Sequence, residues 1–168
     1  MQISDSGIGK RLGDMFLADW NNRSSIQTLK KTFSISSSEQ SIFLNLFWLY
    51  YLAYTCAASS SPGKISAERF RSVADHLTAR VIEKYRNMFG IKEDANNILA
   101  SQGKTPERLY SCYNRNVNSP PSVHYHVGKE MCLIVNGDAD FPSPGLILYF
   151  GEQLHRDTLR IKNYIDSL

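Results

Sequence analysis

A chain of 168 residues, 42% apolar and 11% aromatic, carries enough hydrophobic surface for one buried core, which excludes a disordered chain. Its net charge of +3 and pI near 8.7 permit an acidic partner, but the basic residues are scattered rather than clustered as in a dedicated nucleic-acid protein. Three widely spaced cysteines, Cys56, Cys112 and Cys132, exclude a disulfide framework and point to a reducing compartment.

The opening residues lack the basic-then-apolar order of a secretory signal, so a cytoplasmic location is expected. Leu12, Met15, Phe16 and Leu17 predict a short amphipathic helix that stops at Asn21-Asn22. Ser24 or Ser25 can cap a second, through Phe33, with Ile26, Leu29 and Phe33 on one face. Ser36 and Glu39 have capping-box spacing ahead of Ile42 to Ala58, a run apolar except for Asn45 and Thr55. A helix apolar all round must be surrounded by protein or lipid. No Lys or Arg lies between Lys31 and Lys64, and the aromatic residues sit mid-run rather than at two interfaces. A central core helix is therefore expected, and no membrane partner.

Ser59 to Gly63 reads as a loop. Ser66 opens the clearest helix, with Phe70, Val73, Ala74, Leu77, Val81, Tyr85 and Met88 at helical spacing and Gly90 as its stop. Two shorter helices follow: Glu93 to Gln102, and one started by Thr105-Pro106-Glu107 that runs to Arg115. After a linker rich in Asn, Ser and Pro, two β-rich runs flank Gly128-Lys129: Val123 to Val127 and Glu130 to Val135. They predict a β-hairpin near residues 122–136. A last helix, Leu146 to Asp166, faces Ile147, Phe150, Leu154, Ile161 and Ile165 inward. The expected fold is one mainly α domain, a helical bundle around the buried apolar helix, with the hairpin and the C-terminal helix packed on it.

Ligand chemistry concentrates near the hairpin. On a strand, His124 and His126 would point the same way and could present two imidazoles to one divalent metal ion, with Glu130 and His155 as further ligands. Glu152 and His155, three apart on a helix, share a face. The pattern His124-x-His126-x3-Glu130-x6-Gly137 resembles the first metal-binding motif of the cupins over fourteen residues. The resemblance implies a metal site in a barrel of about eight strands. The chain departs from the family at Asn118, where a Gly is expected, and lacks the downstream Pro and His pattern. The match is read as coincidental, and solvated hairpin histidines account for the same residues.

No G-x-S-x-G, P-loop or G-x-G-x-x-G is present. Arg69, Arg80 and Lys84 flank the apolar stripe of the Ser66 helix, and Arg115 lies beside a flexible segment, a modest case for phosphate contacts. Tyr110, Tyr113 and Tyr125 gather near the change from helices to hairpin, where tyrosine suits a protein-binding surface. The reading favours a non-catalytic interaction or assembly subunit, with a protein partner or self-association. A nucleic-acid accessory protein and a metal-dependent enzyme are the alternatives; no cofactor is expected outside the last.

Overall fold

The long apolar run forms helix α3, Glu39–Ser59, and everything else is arranged to cover it. Its cap is Ser38, whose Oγ accepts from the Ser41 N–H at 3.1 Å, so the expected Ser36 capping box is displaced by two residues. This fold comes from a computed structural model that describes residues 3–22, 26–137 and 143–168. The expected Ser24 or Ser25 cap, and positions 138–142 between the expected hairpin and the last helix, lie outside the described residues.

Eight helices stand among the described residues: α1 (Asp5–Asn22), α2 (Ile26–Phe33), α3, α4 (Ala67–Phe89), α5 (Ala95–Ser101), α6 (Thr105–Asn116), α7 (Val123–Val135) and α8 (Pro144–Asp166). α3 packs against α1, α4, α6, α7 and α8, which explains how it can be apolar on every side. Among the described residues it is the one helix long and apolar enough to cross a membrane, and 78% of that stretch is buried inside the fold. Its aromatic rings interlock with the neighbouring helices. Phe43 meets Trp20 of α1 edge-on at 4.7 Å, and Tyr54 stacks on Phe70 of α4 at 5.0 Å. The buried Tyr50 and Tyr54 hydroxyls donate to the Leu12 and Phe70 carbonyls at 2.9 and 3.1 Å, so neither buried O–H is left without an acceptor.

Several local rules act as expected. Ser66 caps α4 through the Arg69 N–H, and Gly90 ends it with φ +64°. The inward residues of α8, Ile147, Phe150, Leu154, Ile161 and Ile165, are all buried. α1 begins well before Leu12, because Gly9 and Gly13 are helix-contact residues rather than loop. A Cβ on Gly9 would lie 2.6 Å from the Val73 carbonyl oxygen of α4, so only glycine lets the two helices approach this closely.

The β-hairpin does not exist. The described residues contain no strand, and Val123–Val135 is helix α7. Ser122 caps it by accepting from the Tyr125 N–H at 3.2 Å. Val127, Gly128, Met131, Cys132 and Val135 are buried, and that set recurs with the 3.6-residue period of a helix. Gly128, read as a turn, instead sits where α7 crosses α8: a Cβ there would collide with the Ile147 carbonyl oxygen. Gly151 answers it from α8, where a Cβ would be 2.8 Å from the His124 carbonyl oxygen. Burial against α8 thus overrides the β propensity of Val, Ile and Tyr.

Candidate docking groove

Helix geometry changes what the histidines can do. Residues two apart on a helix diverge by about 200°, so His124 and His126 face opposite ways. The His126 ring donates through Nε2 to the Pro120 carbonyl at 2.9 Å, while Glu130 is ion-paired with Arg108 of α6. The hairpin premise that brought these groups to one metal is therefore lost. Among the described residues, no group of three or more His, Cys, Asp or Glu side chains is placed to hold a metal ion.

The basic flank of α4 is also differently employed. Arg69 pairs with Asp5 at 2.8 Å, and Arg80 pairs with Asp14 at 2.8 Å; both tie α4 to α1. Lys84 is half-buried on the same helix. Arg115 folds back onto its own helix and donates to the Ser111 carbonyl at 3.3 Å. The three tyrosines have three surroundings. Tyr110 is 49% exposed beside a small cleft under Trp48 and Tyr51. Tyr113 turns inward toward Cys56, and burial pushes its phenol up to about 12. Tyr125 stands on α7 at the edge of a different feature.

That feature is a groove of about 500 Å³ between α7 and α8. The close Gly128–Gly151 crossing holds the two helices together at its base. His124 and His155 meet in its wall, ring centroids 4.8 Å apart and edge to face. Burial, with the neighbouring His155, lowers the His124 pKa from the ordinary histidine value, which favours the neutral ring. Leu148 and Leu159 lie along the groove with 57% and 49% of their surface exposed, and Tyr125 with 36%. Glu152 and Arg156, both exposed, are the charged groups of the same α8 face.

Of the groove residues, Tyr125, His124, Glu152 and His155 were visible as candidates from sequence. Leu148 and Leu159 were not. Their signal is that they are apolar yet fall off the inward stripe of α8, on the side that should be polar. Burial raises the pKa of all three cysteine thiols, Cys132 to about 12, which disfavours the thiolate. Compared with known proteins, the chain matches no family model, no curated protein and no solved structure.

Proposed function

We propose that the protein is a non-catalytic interaction subunit of the cytoplasm that docks a protein surface along the α7–α8 groove. The observation that carries this reading is the exposure of Leu148, Leu159 and Tyr125 around one concave apolar feature. Scattered exposed apolar residues are ordinary, but a set gathered along a groove with charged neighbours is the anatomy of a docking site. The three unpaired cysteines suit a reducing compartment. The Arg69 and Arg80 flank adds little to binding, because its charges are already matched by Asp5 and Asp14.

The test is cross-linking in the host, with tagged wild-type and Leu148→Asp chains compared side by side. The wild type should yield a cross-linked protein product that the variant loses, while circular dichroism shows both chains equally helical. Identical products from the two chains would overturn the reading.

A further inference from the structure

We infer that the occupant of the groove is a second copy of this chain, with α8 packed antiparallel on its own symmetry mate; the inference rests on the docking role proposed for the groove. The exposed face of α8 reads almost the same in both directions. Counting outward from the midpoint between Gln153 and Leu154, Glu152 and His155 are the first exposed pair, and Leu148 and Leu159 the second. A twofold contact is isologous, so each residue meets the one at its mirrored position on the other copy. Here that sets Leu148 on the partner copy's Leu159, and Glu152 beside the partner copy's His155, each contact occurring twice.

Charge supports the same register. Glu152 supplies an anion and hydrogen-bond acceptor, while one turn on Arg156 supplies a cation and His155 a ring N–H, so the face is complementary to itself only when the helices run in opposite directions. A parallel pairing would place Glu152 against Glu152. Arg156 has no charged counterpart in this register, because its mirrored position is Gly151, which is buried against α7. The two leucines lie eleven residues apart, about 16 Å at the helical rise, which gives a short seam. An unrelated partner would have no reason to require a mirrored face.

Sedimentation equilibrium over about 1 to 500 µM covers the range in which so small an interface dissociates. The wild type should move from the 19.1 kDa chain mass toward twice that value. Glu152→Lys, which sets Lys against His155 and Arg156, should weaken the dimer about tenfold or more, and Leu148→Asp should do the same. Because both copies carry every change, Glu152→Lys combined with His155→Glu and Arg156→Glu reverses both sides of each contact and should restore dimerisation.

A wild type that stays monomeric throughout, or a dimer indifferent to Glu152→Lys and Leu148→Asp, would overturn the self-pairing. A charge-reversed chain that remains monomeric and helical would overturn the antiparallel register. A monomer that still gives a Leu148-dependent cross-link to a different protein would end the self-pairing and leave the groove's docking role standing. A monomer without such a product would end both.

Discussion

The α1–α4 and α7–α8 pairs are joined by one device and finished in opposite ways. In each, glycines remove the side chain at the crossing: Gly9 and Gly13 on α1, Gly128 and Gly151 across α7 and α8. The outer rim of α1–α4 is then bridged by Asp5–Arg69 and Asp14–Arg80, beside a polar cleft lined by Lys10, His76 and Glu83. The outer rim of α7–α8 carries Leu148, Leu159 and Tyr125 instead, with the edge-to-face His124–His155 contact between the helices. Close packing therefore accounts for the crossings but not for the rims. A polar rim bridged by ion pairs can stay in water, whereas an apolar rim leaves exposed area that association can bury.

The largest effects should come from disturbing the crossings, where the pairs ought to behave alike. Gly128→Ala drives a methyl into the Ile147 carbonyl and should cost about 2–3 kcal/mol. That outweighs the ~1 kcal/mol that alanine gains over glycine in a helix. Gly9→Ala meets the Val73 oxygen and the His76 Cβ, both at 2.6 Å, and should cost about 1–2 kcal/mol. Gly63→Ala, with nothing within 4 Å, is the control. Urea denaturation of the three variants ranks them, and an unchanged midpoint for Gly128→Ala would contradict the crossing described here.

Disturbing the rims should separate the pairs. Asp14→Asn removes a partly buried ion pair and should cost about 0.5–1 kcal/mol, a loss that shrinks in high salt. Leu148→Asp should leave the stability of the single chain within about 0.5 kcal/mol, because the side chain is mostly in water. Urea midpoints at low and high salt, taken at a protein concentration low enough to keep the chain monomeric, make the comparison. A large loss for Leu148→Asp there would mean that the leucine packs within its own chain.

The contrast between the pairs also shows what the residues alone reveal. α3 was legible as a nearly unbroken apolar run, and α4 and the inward face of α8 by apolar residues at helical spacing, with Ser66 and Gly90 marking the ends of α4. α7 was not, because Val123-His-Tyr-His-Val127 and Leu133-Ile-Val135 favour a strand locally and Gly128 imitates a turn. The contrary signals were present, in Ser122 behind two prolines and in the 127, 128, 131, 132, 135 stripe. They outweigh propensity only once α8 supplies a surface to bury that stripe. The groove was half-legible for a related reason. His124, Tyr125 and His155 attract attention by type, but Leu148 and Leu159 lie off the inward stripe as isolated apolar residues and gain a setting only once Val123–Val135 is a helix that walls the groove beside them.

The smallest effect separates the two pairs by pH. Asp5 is held below the ordinary carboxylate pKa of 3.8, chiefly by its hydrogen bond from Arg69. Folding therefore favours its charged form, and the contribution is present above about pH 4 and lost as acid protonates the carboxyl. His124 is also depressed, from 6.5, by burial and then by His155. Folding favours its neutral ring, so the unfolded chain takes up the proton first, and stability falls as pH drops through 6.5 toward the lower folded value. The α7–α8 pair should thus begin to weaken several pH units before the α1–α4 pair does. Thermal melts from pH 8 to pH 3 should show an early decline that His124→Gln removes and a later one that Asp5→Asn reduces. If His124→Gln left the decline below pH 6.5 unchanged, the cost of burying a charged imidazole would lie elsewhere in the chain.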